Sequence, residues 1–349
     1  MDIKKAIKKI SGFEDLTEEE TRAVFDRIMN GETTPAQIGA LLIGLHMKGE
    51  TAGEITGAAR VMRERSLKIN VRPVRARGVS ADPAEDVILD TCGTGGTGKN
   101  TFNISTAVAF VVAGCGVKVA KHGNRAASGR CGSADVLEAL GVRIDAPAEV
   151  TEKCINTINI GFIFAPLFHE AMRHAAGPRK ELGVRTIFNL LGPLSNPASA
   201  TCQVMGVYDE GLTGTMAEVL GKLGVERAYV VYGMDKFDEV AITGKTKVSE
   251  LDSGEVRSYY VAPADFGIDE ASMEDISGGS PGENAGMVRA VLSGEEGPRL
   301  DIVLMNSSIA LMAAGRAGDL TEGVQAARGS ISSGKAGEKL EQLIRMTNG

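Results

Sequence analysis

A glycine-rich segment between two apolar runs constrains the fold of this 349-residue chain more than any other feature. The short apolar run 87–89 precedes residues 90–106, which carry four glycines between positions 93 and 98, and a longer apolar run begins at residue 107. A glycine turn between a buried strand and a helix directs backbone N–H groups towards one point, where the helix dipole also favours an anion. The segment therefore predicts an α/β sheet with a phosphate or pyrophosphate site at the carboxyl end of a strand.

Further strand-like runs alternate with helix-like stretches through the middle of the chain. Apart from the run 87–89, they occupy residues 117–120, 161–164, 202–207 and 228–232. This alternation predicts a mostly parallel sheet. Residues 240–261 indicate antiparallel strands, with turns at Thr243-Gly244 and Ser253-Gly254, and the chain from Asn284 onward predicts helices.

The first 70 residues have the pattern of a small helical bundle. Three capping boxes start helices at Thr17-x-x-Glu20, Thr34-x-x-Gln37 and Thr51-x-x-Glu54. Pro35 occupies the first helical position after Thr34, and Gly31 and Gly49 fall where helices should end. The polar stretch 72–86, which contains two prolines, predicts a linker or exposed loop between this bundle and the sheet.

Composition narrows the class of protein. The chain has 38 Lys plus Arg and 45 Asp plus Glu, a net charge of −7, which disfavours general binding to nucleic acid or to an anionic membrane. Its five cysteines form no CxxC pair, a usage typical of a reducing compartment. The N-terminal residues contain no apolar signal core, and the longest apolar run, 107–117, is shorter than the roughly 20 residues that span a bilayer. We expect a cytoplasmic location.

The glycine segment also admits a P-loop interpretation, because Gly93-x4-Gly98-Lys99 fits G-x-x-x-x-G-K. The next residue of a P-loop is a Ser or Thr that binds Mg²⁺, and here it is Asn100. Thr101 comes one residue late, which turns its hydroxyl by about 100° on a helix. From this segment alone, an anion site, a P-loop and a glycine turn without ligand all remain open.

Two other segments place polar groups where strands end or helices begin. KHGNR at 121–125 directly follows the run 117–120, so that Lys121 could face a phosphate and Asn124 could both donate and accept hydrogen bonds. Taken alone, a solvated basic turn explains it equally well. Gly132-Ser133 starts a further apolar helix and is suited to an anion.

Asp238 and Glu239 are adjacent carboxylates, which are hard ligands suited to Mg²⁺ if the pair lies in a loop. A solvated acidic turn is the alternative.

His169 and His174 are five residues apart, a spacing that separates them on a helix and disfavours a shared metal. Arg179 could pair with a carboxylate.

In combination, these segments resemble the anthranilate phosphoribosyltransferase family. The matching strings occur in family order and spacing: GTGG at 93–96, NIST at 103–106, KHGNR at 121–125, GSADVLEALGV at 132–142, RTIFNLLGPLSNP at 185–197 and DE at 238–239. The helical start also suits the family, so the resemblance covers essentially the whole chain. Thr97 departs from the pattern, because the family's glycine loop usually carries Asp at that position.

The resemblance implies an α/β fold with a small discontinuous all-helical domain and a larger domain built on a mostly parallel central sheet. The helical domain would comprise residues 1–72, completed by about 166–190, and the α/β domain residues 73–165 and 191–349. The resemblance also implies a homodimer through the helical domain. The reaction would be transfer of phosphoribose from 5-phosphoribosyl 1-pyrophosphate (PRPP) to the amine of anthranilate, the second step of tryptophan biosynthesis, with Mg²⁺ required.

The motifs also imply roles for individual residues. Those for PRPP are Gly93, Thr94, Gly95, Gly96, Thr101, Asn103, Ser105, Thr106, Lys121 and Ser133. Those for anthranilate are Gly93, His122, Asn124, Arg179 and Gly192, and His122 is also a candidate proton acceptor. Those for Mg²⁺, directly or through water, are Ser105, Asp238 and Glu239.

Three other functions remain possible at this point. A pyrimidine nucleoside phosphorylase has the same fold, but the long KHGNR and RTIFNLLGPL matches favour the transferase. A binding homologue without catalytic activity is disfavoured by the Asp238-Glu239 pair, by Arg179 and by the net charge of −7. A P-loop NTPase is disfavoured by Asn100.

Overall fold

The structure is a computed structural model that describes residues 1–71, 87–96, 98–126 and 130–349. The predicted linker 72–86, the domain boundary at residue 72 and the departure at Thr97 lie outside the described residues.

Four helices form the N-terminal part of the chain: α1 (Ile3–Ser11), α2 (Glu18–Met29), α3 (Pro35–Lys48) and α4 (Ala52–Glu64). The three predicted capping boxes start α2, α3 and α4, each with both reciprocal hydrogen bonds present. Pro35 is the first residue of α3, and Gly49 ends it with a positive φ of 87°. The helical start of the chain is therefore confirmed, because its signals act within a few residues of one another.

Seven strands form one sheet in the order β3-β2-β1-β4-β5-β6-β7. The first five strands are parallel, and β6 and β7 add an antiparallel edge. Their bounds are β1 Ile88–Gly93, β2 Lys118–Gly123, β3 Ile160–Phe164, β4 Cys202–Gly206, β5 Arg227–Gly233, β6 Thr246–Asp252 and β7 Glu255–Val261. The predicted α/β fold with a mostly parallel sheet is confirmed.

The remaining α-helices pack against the sheet, against one another or against the N-terminal helices. They are α5 (Ile104–Gly114), α6 (Ser133–Ala139), α7 (Ala148–Ile158), α8 (Ala165–Phe168), α9 (Arg173–Leu182), α10 (Ile187–Leu194), α11 (Leu212–Lys222), α12 (Pro281–Leu292), α13 (Pro298–Ala313), α14 (Leu320–Ser332) and α15 (Lys335–Asn348). None of the helices within the described ranges combines the length and the apolar character needed to cross a membrane.

Two strand predictions need correction. Lys121 and His122 do not follow β2 but belong to it, because they pair with Phe162 and Ile163 of β3. Residues 240–245 are not strand, so that β6 and β7 form a single hairpin around Ser253-Gly254. The backbone of Val240 and Ala241 instead binds the side chains of Asn306 and Thr246.

The two faces of the sheet contribute to different cores. One face packs with α5, α12 and α13 in the larger core. Met205 of β4 and Val230 of β5 point to the other face, where they join a second core with α11 and the N-terminal helices. Helices α9 and α10 pack on α3 and α4, respectively. Residues from the middle of the chain therefore complete the packing of the N-terminal helices.

Candidate active site

The sheet has a topological switch point between β1 and β4, since β2 and β3 extend the sheet to one side of β1 and β4 to β7 extend it to the other. Ligands of open α/β sheets bind outside the carboxyl ends of the strands at such a point. Gly93 ends β1 and pairs with Gly206, which ends β4. The predicted glycine loop therefore begins where a ligand crevice is expected.

Hydrogen bonds fix the first part of the glycine loop. The Thr94 N–H donates to the carbonyl of Gly206 over 2.9 Å, and the Gly95 N–H donates to Asp238 Oδ2 over 2.9 Å. Gly95 and Gly96 have φ values of 64° and 79°, which favour glycine because they lie in the left-handed region. The loop thus brings the predicted PRPP and Mg²⁺ residues into contact.

The second part of the loop, residues 98–103, contains no helical turn and does not form a P-loop. Thr101 forms an isolated bridge with Ser277, and the Asn100 amide donates to the Gly278 carbonyl over 2.7 Å. Helix α5 begins only at Ile104, five residues after Lys99. In a P-loop the helix begins beside the Lys, where its amides cradle the phosphates, so the P-loop alternative is wrong.

Asn103 caps α5 and lies in a network of buried and half-buried side chains. Its Nδ2 donates to the Cys131 carbonyl over 3.2 Å, while its Oδ1 accepts from Asn284 Nδ2 over 2.9 Å. The first turn of α5 then presents Ser105 and the buried Thr106, whose Oγ1 has no hydrogen-bond partner among the described residues.

Lys121 is 3% exposed and lies behind the glycine loop. Its ammonium donates to the Thr91 carbonyl over 2.7 Å and to Ser105 Oγ over 3.2 Å. Burial lowers the pKa of Lys121, and the nearby carboxylates of Asp90 and Glu239 oppose that shift. Lys121 thus supplies a positive charge beside Ser105 and Glu239, two of the residues predicted to bind Mg²⁺.

Asp238 and Glu239 are half-buried in the loop that follows β5, which is the loop placement that the metal interpretation requires. Burial and the adjacent Asp238 charge raise the pKa of Glu239 above its ordinary value, while Lys121 and the Ser105 backbone oppose that rise. Two carboxylates in one enclosed site disfavour each other's ionisation, and a divalent cation would relieve this repulsion.

The donor set fits Mg²⁺. The hydroxyl of Ser105 and the carboxylates of Asp238 and Glu239 are oxygen ligands, which Mg²⁺ prefers. Within the part of the chain that the structure describes, no group of three or more His, Cys, Asp or Glu side chains is arranged to hold a metal by itself. The site would thus suit an ion that completes its shell with phosphate oxygens and water, as Mg²⁺ commonly does.

His122 and His169 form a buried pair beside this region, with ring centroids 5.1 Å apart. His122 Nδ1 lies 3.2 Å from the Gly192 carbonyl, which can only accept, so Nδ1 carries the proton. Nε2 of both rings is buried and has no hydrogen-bond partner among the described residues. Burial lowers the pKa of His122 to about 3 and that of His169 to about 4, which keeps both rings neutral at pH 7.

We expect His169→Asn to lose less stability than the unaltered protein when the pH falls from 7 to 5. The folded pKa of His169, about 4, lies below its ordinary value of 6.5, so the unfolded chain binds more protons between these values. This residue's contribution to stability is therefore complete above pH 6.5 and falls by about 2 kcal/mol at pH 5. Urea unfolding midpoints at the two pH values measure the difference. His46→Asn, at an exposed histidine, is the control; an equal pH effect in both variants would contradict the prediction.

At the start of α6, where an anion was predicted, the Asp135 side chain already binds two backbone N–H groups. Asp135 Oδ2 accepts from the N–H groups of Gly132 and Ala126 over 2.8 and 3.0 Å. Ser133 Oγ donates to the Asn124 carbonyl over 3.3 Å. The start of α6 therefore holds Asn124 in place beside β2. The carboxylate of Asp135 accepts the hydrogen bond of the Gly132 N–H.

Arg179 lies on α9, where its guanidinium stacks over the Phe188 ring of α10 at 4.9 Å. Burial lowers its pKa. The stacking contact places Arg179 beside α10, the helix that also carries Gly192. The contact between the Arg179 guanidinium and an anthranilate carboxylate remains a prediction.

Sequence reasoning missed several residues of this region. His169 was considered only as a metal ligand, and the contact with His122 joins positions 47 residues apart. Arg185 stacks on Tyr208 and donates to the Gly96 carbonyl, and Asn306 binds the backbone next to Glu239. The sequence places His169 directly after Phe168, and a histidine beside an aromatic residue was a usable signal for a buried ring. No local pattern indicated the contacts of Arg185 and Asn306.

Comparison with known proteins adds a family to this geometry. The model described as "Glycosyl transferase family, a/b domain" matches residues 85–337, and the model described as "Glycosyl transferase family, helical bundle domain" matches residues 4–66. Anthranilate phosphoribosyltransferase from Syntrophobacter fumaroxidans is 56% identical over 346 residues, covering 99% of both chains. The enzyme of that name from Geotalea uraniireducens is 53% identical over 350 residues, again covering 99% of both chains.

Solved structures agree with these sequence relatives. The anthranilate phosphoribosyltransferase of Thermus thermophilus superimposes with a TM-score of 0.90 at 43% identity and covers 99% of both chains. The Saccharomyces cerevisiae enzyme, in complex with PRPP and Mg, has a TM-score of 0.88 at 28% identity, covering 99% of this chain and 98% of that one. The matches confirm the resemblance and do not favour the nucleoside phosphorylase alternative. The chain belongs to the glycosyl transferase family and, within it, to the anthranilate phosphoribosyltransferases.

Proposed function

We propose that this chain transfers the phosphoribosyl group of PRPP to the amine of anthranilate and releases pyrophosphate. One observation carries the proposal: the glycine loop, the Asp238-Glu239 pair and the His122–His169 pair converge at the carboxyl end of the sheet. The first two are suited to a pyrophosphate with its cation, and the third offers a dry, uncharged surface suited to an aromatic ring. Relatives at 53% and 56% identity that carry this enzyme name support it.

The glycine loop and its neighbours would hold PRPP. We assign Gly93, Thr94, Gly95, Gly96, Thr101, Asn103, Ser105, Thr106, Lys121 and Ser133 to this substrate. Backbone N–H groups near Gly96 and the start of α5 would receive the phosphates, and the positive charge of Lys121 lies close to them. Mg²⁺, held by Asp238, Glu239 and Ser105, would neutralise the charge that develops on the departing pyrophosphate. The S. cerevisiae complex with PRPP and Mg supports the use of this ion.

Anthranilate would bind next to PRPP, on the side of the crevice formed by the end of β2, α9 and α10. We assign it Gly93, His122, Asn124, Arg179 and Gly192, with the Arg179 guanidinium as partner of the carboxylate. Its aromatic amine is neutral at pH 7, so the nitrogen can attack the ribose C1 carbon without prior deprotonation. The bond from nitrogen to C1 forms as the bond from C1 to the pyrophosphate oxygen breaks. The protein's main tasks are then positioning and electrostatic stabilisation.

The attacking nitrogen becomes positively charged and must lose a proton. His122 Nε2 carries the free lone pair of a neutral ring, because Nδ1–H donates to the Gly192 carbonyl. We assign His122 as the acceptor. A ring with a pKa of about 3 is a weak base, which suffices because a substituted aryl ammonium is far more acidic than an alkyl ammonium.

His122→Asn is accordingly expected to lower the turnover number about 100-fold, while the KM for PRPP changes little. Steady-state kinetics with each substrate varied in turn give both quantities. An unchanged turnover number would remove His122 from the proton transfer.

Three further proposals concern organisation. The helical domain would comprise residues 1–72 and about 166–190, and the α/β domain 73–165 and 191–349; the packing of α9 and α10 on α3 and α4 supports this division. We propose a homodimer formed through the helical domain, in which the exposed Phe13 and Met47 are apolar side chains available for contact. A cytoplasmic location agrees with five cysteines that are all free thiols.

Loss of anthranilate fluorescence tests the function directly. Purified protein should consume anthranilate only when PRPP and Mg²⁺ are both present. A folded protein that leaves the fluorescence unchanged would contradict the proposal, and phosphorolysis of thymidine or uridine would then identify the nucleoside phosphorylase alternative.

A further inference from the structure

A buried asparagine on α13 binds both backbone groups of the residue that follows Glu239. The Val240 N–H donates to Asn306 Oδ1 over 2.9 Å, and Asn306 Nδ2 donates to the Val240 carbonyl over 3.0 Å. The same Nδ2 donates to the Ile302 carbonyl, one turn earlier on α13, over 2.9 Å. Asn306 is 2% exposed, so these bonds form away from competing water.

This pair of bonds replaces a strand partner. The segment between β5 and β6 leaves the sheet, so the backbone of Val240 has no ladder to satisfy it. A planar amide that binds the N–H and the carbonyl of one residue fixes the position and the orientation of that residue. The Ala241 N–H donates to Thr246 Oγ1 over 2.8 Å and holds the next residue.

Asn306 also connects the acidic loop to the frame of the site. Helix α13 packs against β1 and β4, which flank the switch point, and against β5, which precedes the acidic loop. A shift of Val240 would move Glu239 relative to Ser105 and Lys121, because adjacent Cα atoms are about 3.8 Å apart and rigidly linked. The amide therefore ties the position of Glu239 to a helix that packs against β1, the strand at whose end the glycine loop begins.

We propose that Asn306 is a positioning residue that sets the geometry of the Asp238-Glu239 pair for the cation and pyrophosphate. It touches no substrate and acts through the Val240 backbone. The inference rests on the proposed function of the acidic pair. Residues that orient a metal ligand from behind commonly contribute about 10- to 100-fold to metal affinity.

Asn306→Leu is the sharpest variant, because leucine keeps the branched arrangement of four side-chain heavy atoms and lacks the hydrogen-bonding groups. Asn306→Ala serves as a second variant in case leucine disturbs folding. Ser307→Ala is the matched control: Ser307 is fully buried on the same helix, and its hydroxyl has no partner among the described residues.

The primary readout is Mn²⁺ binding followed by electron paramagnetic resonance in the presence of PRPP, which does not depend on turnover. We expect the Asn306 variants to bind Mn²⁺ at least about tenfold more weakly, and Ser307→Ala to bind it as the unaltered protein does. The KM for PRPP at limiting Mg²⁺ should rise, while the KM for anthranilate should stay within about twofold, a split that general destabilisation would not produce.

Two outcomes separate this inference from the proposed function. If the unaltered protein shows no PRPP-dependent Mn²⁺ binding, the proposed function of the acidic pair fails. If the unaltered protein binds Mn²⁺, Glu239→Gln weakens that binding, and a folded Asn306 variant binds as tightly as the unaltered protein, then the positioning role of Asn306 is wrong and the amide is structural only.

Discussion

Glu239→Gln is expected to lower kcat/KM for PRPP by about 100-fold or more while leaving the thermal midpoint unchanged or higher. The carboxylate would help to hold the cation on the departing pyrophosphate, a contribution of several kcal/mol to the transition state, and each 1.36 kcal/mol is tenfold in rate. Without the ion, burial and the Asp238 charge disfavour an ionised Glu239, as its raised pKa shows. A neutral amide of the same shape removes that penalty from the folded state.

The opposite directions of these two effects make the prediction specific. Steady-state kinetics over a range of Mg²⁺ concentrations measure the first effect, and thermal unfolding without Mg²⁺ measures the second. Asp235→Asn is the matched control, because it removes one carboxylate from an exposed position of the same loop. Equal losses of activity in the two variants, or an activity loss in Glu239→Gln that only parallels unfolding, would contradict the role of Glu239.

The features that the sequence predicted well depend on short-range interactions. The capping boxes at Thr17, Thr34 and Thr51 each join residues three apart, and the glycine loop lies between a strand and a helix that read clearly from their apolar runs. The Asp238-Glu239 pair was identified by its chemistry. Its position in a loop, which the metal interpretation required, needed the structure.

The features that the sequence did not predict depend on contacts between distant segments. Residues 240–245 resemble a strand in composition but leave the sheet, because Asn306, 66 residues further along, binds the backbone of Val240. The end of β2 was placed too early, since pairing with β3 carries the strand through Gly123. His169 joins the site only because the chain after α8 packs against His122 of β2.

The same distinction applies to the glycines of the site. Gly93 was predicted as part of a phosphate loop, a local argument. Gly206 attracted no prediction, since it ends an ordinary apolar strand. Its importance arises from packing: a Cβ on Gly206 would lie 1.6 Å from the carbonyl oxygen and 2.4 Å from the carbonyl carbon of Asp238. The backbone of Asp238 therefore packs directly against Gly206 at the end of β4, where no side chain separates them.

Gly206→Ala is expected to reduce activity about 100-fold and to destabilise the fold. The clash is with backbone atoms of Asp238, so no side-chain rotation relieves it, and the loop must move by more than about 1 Å, a displacement that can cost about 100-fold in rate. Overpacking of this kind typically costs about 1–3 kcal/mol of stability.

Gly214→Ala provides the matched comparison for this substitution. Gly214 lies within α11, and a Cβ there has no atom within 4 Å, so alanine should leave activity intact and stabilise the helix by about 0.5–1 kcal/mol. Kinetics and urea unfolding of both variants test the pair. A fully active Gly206→Ala would mean that the acidic loop tolerates displacement from β4, and the close contact between Gly206 and Asp238 would then have no part in setting the geometry of the cation site.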